Sequence, residues 1–466
     1  METRWLEELA DILPENRLLT TLPDRFSYSF DASFGEFLPE AVVQVMSTEE
    51  VAAIIKVADQ YEIPVTPRGQ STSLSGGPLP VQGGIVLDFA LWSQKVEVDE
   101  ENRTVTVSPG VLTADINQAC EPYGLLYPPD PSSAHVSTIG GNLAENSGGP
   151  RGLKYGVTKN FVLGLEVVTP KGDVIQTGQR AGDEDLDITT LIVGSEGTLG
   201  VITEAMLKLI PKPQTTKTMM AVFDDIVDAG AAISKTLTSG IFPSKMELMD
   251  EGSIVAVENY QPSGLPADAK AVILIELDGH ADALEEEAEE VSEIVKSVGA
   301  RETKIAENVR EAEQIWTARK MVSPAISQIK PTKISEDATV PRSKIPEMME
   351  KLHDIRDRYD INLVVFGHAG DGNLHPDVLA DKRDSEEMQR VEKAVAEMFT
   401  AAIELGGTLS GEHGIGTMKA PFLEEELGAE GVEMMKRLKK AWDPKNMMNP
   451  GKIFAESGAK LELTDG

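Results

Sequence analysis

Residues 67–80 read PRGQSTSLSGGPLP, a run of small residues between the strand-like segments IPVT and GIVLDF. Two comparable runs follow, STIGGNLAENSGGPRG at residues 137–152 and GSEGTLG at residues 194–200. Small residues between strands expose successive backbone N–H groups, and such turns bind phosphate without help from positive side chains. The three loops therefore predict an α+β domain that holds a diphosphate.

Several familiar nucleotide-binding and hydrolase motifs are absent from the chain. No GxGxxG and no GxxxxGK[ST] pattern occurs, so the usual dinucleotide and nucleoside triphosphate folds have no support. No GxSxG pattern occurs either, which removes the commonest serine hydrolase. The three loops therefore indicate another kind of domain.

Strand and helix patterns divide the chain at a proline-containing segment, residues 211–213. Before it, VVQVMS at residues 42–47 is strand-like, and Ser47 with Glu50 predicts a capping box that begins an amphipathic helix. After it, the predicted order becomes strand, helix, strand, strand, helix, and Gly299 ends the last helix. This is the order of a ferredoxin-like unit.

A second pair of motifs lies nearer the C-terminus, GHAGDGNLHP at residues 367–376 and GEHGIG at residues 411–416. The central Asp-Gly of the first motif is a signal for a two-residue type I′ hairpin loop, which would place His368 directly opposite His375. Opposed residues share one face of a sheet, so the two imidazoles could bind one metal ion.

The dipeptide Glu412-His413 adds to this predicted site. Neighbouring residues in extended backbone point in opposite directions, so we expect only one of the two to share the ion with His368 and His375. We expect Glu412 to be the third ligand, which leaves the histidine for chemistry.

Length and composition limit the functional classes. The 466 residues include 43 Lys plus Arg and 77 Asp plus Glu, for a formal net charge of −34. Such an acidic surface repels nucleic acid and anionic lipid, so we expect neither as a direct partner. The single cysteine, Cys120, excludes an internal disulfide framework. Because no apolar run is long enough to span a bilayer and the N-terminus has no apolar signal core, we expect a soluble, unprocessed, cytoplasmic protein.

The ordered motifs resemble those of a flavoprotein family. PRGQSTSLSGG, TIGGNLAENSGG, LKYG, GLEVVTPKGDVI and GSEGTLGVITE are similar to the FAD-binding domain of the vanillyl-alcohol oxidase and p-cresol methylhydroxylase superfamily. GHAGDGNLHP, GEHGIGTMK and DPKNMMNPGKIF resemble the C-terminal half of one branch, which contains the glycolate oxidase FAD-binding subunit, D-lactate dehydrogenase and D-2-hydroxyglutarate dehydrogenase. The resemblance runs from about Pro39 to Phe454.

The resemblance implies an α+β fold with a p-cresol methylhydroxylase-type (PCMH-type) FAD-binding domain of two subdomains, a ferredoxin-like cap domain and a C-terminal segment that returns to the FAD domain. The corresponding ranges are an N-terminal helical segment at 1–38, the FAD-binding domain at 39–213, the cap or substrate domain at 214–408 and the segment completing the active site at 409–466. Members of this branch generally hold FAD non-covalently, so His135 is not expected to attach it.

The residues that the resemblance assigns to FAD lie in three loops. They are Pro67, Arg68, Gly69, Gln70, Ser71, Thr72, Gly76, Gly77, Ser137, Thr138, Gly141, Asn142, Ala144, Asn146, Glu196, Gly197 and Ile202. The chain departs from the family pattern PRGxGTGLSGG at Ser71 and Ser73, where glycines are common. Serine keeps the backbone N–H group but disfavours positive φ, which leaves the path of the first loop open.

The resemblance also assigns chemical roles. Arg319 resembles the carboxylate-binding arginine of the family, whose guanidinium suits bidentate recognition, and Lys333 is a second candidate for this task. His413 corresponds to the general base. The ligands of a divalent metal correspond to His368, His375 and Glu412. Zn²⁺ is our first choice for this ligand set, with Mn²⁺ or Fe²⁺ as alternatives.

These assignments predict oxidation of a D-2-hydroxy acid of the lactate, glycolate or 2-hydroxyglutarate type to the 2-oxo acid, with metal-assisted hydride transfer to flavin N5. A quinone, a cytochrome, an electron-transfer flavoprotein or an iron–sulfur subunit would reoxidise the flavin, and a homodimer is left open as the assembly. Two other classes stay open, an FAD-dependent alcohol oxidase that uses O₂ and a metallohydrolase with purely structural glycine loops. A non-catalytic FAD-binding subunit would be expected to lack the HxxGDGNxH and EHG motifs.

Overall fold

A computed structural model of the protein describes residues 4–178, 187–456, 459–461 and 463. The chain folds as two units. The first unit comprises Met1–Ser147, Val157–Lys212 and Glu412–Gly466, and the second comprises Gly148–Gly156 and Pro213–Gly411. The short segment 148–156, which holds the LKYG motif, therefore belongs to the second unit although it lies within the predicted FAD-binding range.

Helices and strands alternate along most of the chain. The α-helices are α1 (Arg4–Ile12), α2 (Leu22–Phe26), α3 (Thr48–Tyr61), α4 (Thr113–Cys120), α5 (Ile139–Glu145), α6 (Gly152–Tyr155), α7 (Thr189–Ile192), α8 (Ile226–Thr238), α9 (Glu251–Tyr260), α10 (Ala281–Ser297), α11 (Val309–Lys320), α12 (Val322–Ile326), α13 (Ile345–Tyr359), α14 (Ser385–Glu404) and α15 (Leu423–Trp442). Of the helices that the structure describes, none is both long and apolar enough to cross a membrane.

The strands form separate sheets in the two units. They are β1 (Leu18–Leu19), β2 (Ala41–Gln44), β3 (Val65–Arg68), β4 (Ile85–Asp88), β5 (Val96–Asp99), β6 (Thr104–Val107), β7 (Leu125–Leu126), β8 (Val162–Val168), β9 (Val174–Gln176), β10 (Val201–Lys208), β11 (Ile210–Pro211), β12 (Thr215–Phe223), β13 (Lys245–Asp250), β14 (Ala271–Gly279), β15 (Ala300–Ile305), β16 (Thr332–Ser335), β17 (Ala338–Thr339), β18 (Asn362–His368) and β19 (Asn373–Ala380).

The first unit contains a four-stranded sheet of order β1-β2-β4-β3, a five-stranded antiparallel sheet of order β5-β6-β10-β8-β9 and the short pair β11-β7. In the four-stranded sheet, β2 and β3 both run parallel to β4. Its apolar side chains form one core with those of α1 and α3. This mixed architecture agrees with the predicted α+β class and its two FAD-binding subdomains.

Helix α3 begins where the sequence predicted it, with a variation in its cap. The Ser47 hydroxyl accepts the backbone N–H of Glu50 at 3.3 Å. The Glu50 carboxylate, however, accepts the N–H of Met46 and a bidentate pair of bonds from Arg17. The predicted box therefore closes one residue earlier than its usual form, because an arginine competes for the glutamate.

The second unit is built on one antiparallel sheet of order β15-β12-β14-β13-β18-β19-β16, with β17 also paired to β19. The first four strands stand in the order of a ferredoxin-like unit, which confirms that prediction. Two details differ from the sequence-based order: helix α9 intervenes between β13 and β14, and further strands extend the sheet beyond β13. Gly299 follows α10 with φ of 107°, as expected for its end.

One face of this sheet carries apolar side chains near one end of its strands and polar side chains near the other. Near one end, apolar side chains of β12, β14 and β18 pack against residues of α9, α11 and α12 in a single core. Strand alternation and register place Lys245, Glu247, Glu276 and Asp278 on the same face towards the other end. The buried Glu247 lies at this polar end, on the strand next to β18.

Candidate functional site

All the residues predicted to bind FAD lie in the first unit. They occupy the end of β3 and the turns after it, the segment around α5, the turn between α7 and β10, and the start of β10. Arg68 is buried at the end of β3, where its guanidinium donates to the carbonyl oxygens of Tyr28 at 3.2 Å and Phe30 at 2.8 Å. Its side chain thus anchors the N-terminal segment.

The first and second loops approach closely and carry buried polar atoms. Ser71 adopts φ of 58°, so this serine takes the conformation that glycine usually supplies. The hydroxyl oxygens of Ser71 and Ser137 are buried without a hydrogen-bond partner among the residues described. A Cβ at Gly69 would collide with the hydroxyl of Thr138. Orphaned hydroxyls beside close-packed glycine backbone fit a polar ligand such as the diphosphate of FAD.

Replacing Ser71 by glycine should stabilise the FAD-free protein. Glycine relieves the left-handed strain, which stabilises the folded protein by roughly 1–2 kcal/mol. Its greater freedom in the unfolded chain destabilises the folded protein by about 0.5–1 kcal/mol. We expect the free energy of unfolding to rise by up to about 1 kcal/mol, measured by urea denaturation. Ser73→Gly is the matched control: its φ is not positive, so it should destabilise. A gain in both variants would contradict the strain argument.

Polar side chains of the second loop hold the loop itself. The Thr138 hydroxyl accepts the N–H of Gly141 at 3.3 Å at the start of α5, and the buried Asn142 amide donates to the Thr113 hydroxyl at 2.5 Å. Asn146 ends the helix with φ of 56°. These side chains set the backbone path, so the loop offers N–H groups in fixed directions.

The C-terminal segment is tied to the first and third loops through Glu196 and Asn449. The buried Glu196 carboxylate accepts the N–H groups of Ile415 and Gly416, each at 2.7 Å. The Asn449 amide donates to the carbonyl oxygens of Gly77 at 2.9 Å and Glu196 at 2.6 Å. The end of the GEHGIG motif is therefore fixed within the first unit.

His413 sits at the start of this anchored loop. Its carbonyl oxygen accepts the hydroxyl of Ser75 at 2.6 Å. Gly414, with φ of 83°, has no room for a Cβ beside the carboxyl groups of Glu145 and Glu196. Burial raises the pKa of both carboxyl groups. Glu145 was not predicted as a site residue, although an acidic residue inside the run NLAENSGG is a usable signal.

The predicted register of the hairpin is wrong. His368 pairs with Asn373, and His375 pairs with Phe366, so the loop between β18 and β19 has four residues rather than two. Gly372, with φ of 88°, packs so closely against the Val340 carbonyl that a Cβ would collide with it. Tertiary packing therefore overrides the local preference of Asp-Gly for a two-residue turn.

The two histidines nevertheless meet. As diagonal neighbours on one face, the rings of His368 and His375 lie with centroids 4.9 Å apart at an interplanar angle of 87°. Both side chains are buried. The Phe366 ring lies 5.7 Å from that of His375. The arrangement brings two imidazoles together at the polar end of the sheet.

Glu247 on β13 supports this pair and was not predicted. It is fully buried, and its Oε1 lies 2.7 Å from His368 Nδ1. Burial by itself raises its pKa, but the neighbouring His368 and Arg319 bring the pKa down to about 2. In the sequence, SKMELM alternates like any half-exposed strand, so no signal marks this glutamate as buried.

Arg319 lies against the same glutamate. Its Nε and Nη2 each lie 2.8 Å from Glu247 Oε2, and its guanidinium carbon lies 4.7 Å from the centre of the Phe366 ring. No described residue accepts a hydrogen bond from its Nη1. Arg319, which was predicted to bind the substrate carboxylate, is thus held in place by the carboxylate of Glu247.

Lys333, the second candidate for carboxylate binding, lies on β16. Its Nζ donates to the Ser323 hydroxyl at 2.9 Å and lies 3.6 Å from the buried carboxylate of Asp377. Burial raises the pKa of Asp377 to about 6. Lys333 therefore already has an internal acid as its nearest counter-charge.

Glu412 is bonded directly to Gly411, whose N–H donates to Asp337 at 2.8 Å inside the second unit. Each of the three predicted ligands, His368, His375 and Glu412, offers a candidate ligand atom, and these atoms all lie within 4.8 Å of one another. Two imidazoles and a carboxylate with further positions open form a donor set that suits Zn²⁺ and related divalent ions. The residues therefore fit a metal ion.

The chain matches two known protein-domain families and has close relatives. Residues 39–178 match the FAD binding domain, and residues 212–453 match the C-terminal domain of FAD linked oxidases. The chain is 48% identical to glycolate oxidase subunit GlcD of Bacillus subtilis, over 95% of this chain and 94% of the relative. It is 33% identical to a D-lactate dehydrogenase of Anaerostipes hadrus, over 96% of both.

A solved structure shares the fold at low sequence identity. The 4-ethylphenol oxidase from Gulosibacter chungangensis superposes with a TM-score of 0.81 at 19% identity, covering 97% of each chain. This likeness supports the PCMH-type architecture alone. Because the C-terminal family match spans more than half of the chain and the relatives align with nearly all of it, the chain belongs to the FAD-linked oxidases and is a flavin-dependent oxidoreductase.

Proposed function

We propose that this protein oxidises a small D-2-hydroxy acid, or the achiral glycolate, to the 2-oxo acid with FAD as the hydride acceptor and a divalent ion as Lewis acid. The observation that carries the proposal is the pair His368 and His375 on one sheet face, with Arg319 of α11 linked to His368 through Glu247. This group occurs in a chain with an FAD-binding domain. A 2-hydroxy acid has two functional groups, a carboxylate and a neighbouring hydroxyl. The grouping offers a partner for each.

Each of the predicted site residues would have a separate role in this reaction. Arg319 would bind the substrate carboxylate through Nη1, since Glu247 engages its other two nitrogens. His368, His375 and Glu412 would hold the ion, which lowers the pKa of a bound hydroxyl when present. His413 would accept the hydroxyl proton as C2 gives up hydride. Lys333, with Asp377 close by, would add positive charge to the site.

The names of the relatives support the substrate class. One relative is a glycolate oxidase subunit and another a D-lactate dehydrogenase. Glycolate and D-lactate differ by one methyl group, so a carboxylate-and-hydroxyl site of this kind suits both. The acceptor that reoxidises the flavin is proposed to be a quinone, a cytochrome, an electron-transfer flavoprotein or an iron–sulfur subunit.

We expect the purified protein to be yellow, with about one FAD per chain that acid or heat releases, since three backbone loops offer donors for a non-covalent diphosphate. Anaerobic mixing with glycolate, D-lactate or D-2-hydroxyglutarate should bleach the flavin absorbance within seconds for the true substrate. L-lactate serves as the control of configuration, and stopped-flow absorbance gives the rate for each acid.

Two outcomes would contradict the proposal. If no 2-hydroxy acid bleaches the flavin but a simple alcohol does, the protein is an alcohol oxidase, and O₂ consumption would identify it. If the purified protein is colourless and cannot be reconstituted with FAD, the proposed reaction fails because it has no hydride acceptor.

A further inference from the structure

Glu247 lies between two groups of the proposed site, the imidazole of His368 and the guanidinium of Arg319. No part of this side chain is exposed, and it lies on β13, next to β18 in the sheet. A buried carboxylate away from water is costly unless its oxygens are satisfied by charged partners. Both oxygens of Glu247 are satisfied, and each serves a different functional residue.

The first oxygen acts on the imidazole of His368. Because a carboxylate can only accept, the Nδ1 atom at 2.7 Å from Oε1 must carry the proton of the ring. This leaves the lone pair of the neutral ring on Nε2, the nitrogen available to an ion. A carboxylate behind a metal-binding histidine fixes its tautomer and orientation and makes it a stronger ligand.

The second oxygen acts on the guanidinium of Arg319. Nε donates to Oε2 at 2.8 Å and Nη2 lies 2.8 Å from the same oxygen, while the guanidinium carbon lies over the Phe366 ring, 4.7 Å from its centre. Because two of its nitrogens contact Oε2 and the Phe366 ring packs against it, the guanidinium is held in one orientation. A substrate carboxylate bound through Nη1 would then meet an arginine that needs no further ordering.

We propose that Glu247 is a positioning residue that orients the metal-binding His368 and the carboxylate-binding Arg319 at the same time. The inference rests on the proposed function for the role of Arg319. For the role of His368 it requires only that the histidine binds an ion, so the two parts can be tested separately.

The test compares Glu247→Gln with the wild-type holoenzyme. The glutamine amide has one acceptor where the carboxylate has two, and its NH₂ group faces a donor. We expect the affinity of the chelated, FAD-loaded protein for Zn²⁺, measured by competition with a coloured zinc indicator, to fall about 10–100-fold. We also expect KM for the hydroxy acid to rise by about 10-fold or more, on the scale of a lost charged contact.

Asp278→Asn is the matched control. Asp278 is a buried carboxylate on the adjacent strand β14 and pairs with Lys154 and with the Tyr155 hydroxyl at 2.6 Å. It touches neither His368 nor Arg319 among the contacts described. Its replacement should leave zinc affinity near that of the wild type. An equal fall in both variants would reduce Glu247 to a structural ion pair and overturn the proposal.

A double-variant cycle separates the two parts of the proposal. In the His368 arm Glu247 orients the metal-binding histidine, and in the Arg319 arm it orients the arginine. In an Arg319→Met background, Glu247→Gln should raise KM no further, because its effect on substrate runs through the arginine, yet it should still weaken zinc binding. The double variant also removes both members of the ion pair, so it should fold even if Glu247→Gln alone does not. Wild-type zinc affinity in the double variant would overturn the His368 arm.

The failure of the proposed function would look different. If no 2-hydroxy acid bleaches the flavin of the wild-type protein, KM values cannot be compared. The zinc titrations of Glu247→Gln and Asp278→Asn still decide the His368 arm. If the wild type turns over a hydroxy acid and Glu247→Gln changes neither zinc affinity nor KM, the inference about Glu247 fails while the proposed function stands.

Discussion

Replacement of His413 by alanine is expected to lower kcat by about 10²–10⁴-fold, because the variant lacks the group that would accept the hydroxyl proton. Substrate KM and FAD content should stay close to wild-type values. The backbone anchors of this loop do not depend on the imidazole: the carbonyl of residue 413 accepts from Ser75, and Glu196 holds Ile415 and Gly416. The loss should therefore be chemical rather than structural, as single-turnover flavin reduction would show.

The matched control for this variant is His135→Ala. His135 is an exposed histidine of the same unit, close in sequence to the second FAD loop. Its removal should change kcat less than about twofold, as is usual for an exposed residue outside a site. If His413→Ala retained a third or more of the wild-type kcat, another group would have to be the base.

Loss of the metal ligands should have the second large effect. His368→Ala and His375→Ala should each lower Zn²⁺ affinity by more than the roughly 10–100-fold that loss of a supporting partner costs, and turnover should fall with metal content. Chelation of the wild type should do the same while the protein stays yellow, because the predicted FAD loops lie in the first unit and the two histidines in the second. Metal analysis and the flavin spectrum follow the two effects separately.

An exposed histidine of the second unit provides the control. His280 precedes α10 and lies outside the group formed by His368 and His375. His280→Ala should retain full metal content and turnover. A His375→Ala protein that keeps one tightly bound ion per chain would show that the two imidazoles do not share it. Restoration of activity in the chelated wild type by Zn²⁺, Mn²⁺ or Fe²⁺ would identify the ion.

Much of the first unit could be predicted from sequence because its signals are local. A glycine- and serine-rich loop between strands exposes N–H groups whatever packs around it, so the three loops could be located without tertiary information. Even there, the sequence left the path of the first loop open. The structure shows Ser71 with positive φ, a conformation that the surrounding fold imposes on a residue that disfavours it.

In the hairpin, local sequence signals predicted the histidine pair but not the strand register. The two histidines, their glycine-rich setting and their common strand pair were apparent in GHAGDGNLHP, but the register was not. The backbone N–H of Gly370 donates to the Met246 carbonyl, and Gly372 packs against the carbonyl of Val340. These partners are more than 25 residues away in the chain, and their contacts outweigh the two-residue turn that Asp-Gly favours alone.

The sequence by itself determined the family, and it predicted the FAD-binding loops and the candidate ligands, because those depend on short motifs whose chemistry is carried by adjacent residues. Only the tertiary structure decided that Glu247 is buried between His368 and Arg319, and that Glu196 holds the loop after His413. Each of these carboxylates is an ordinary acidic residue in its own stretch of sequence. Its partners come from distant segments, and burial is what makes its hydrogen bonds strong enough to orient them.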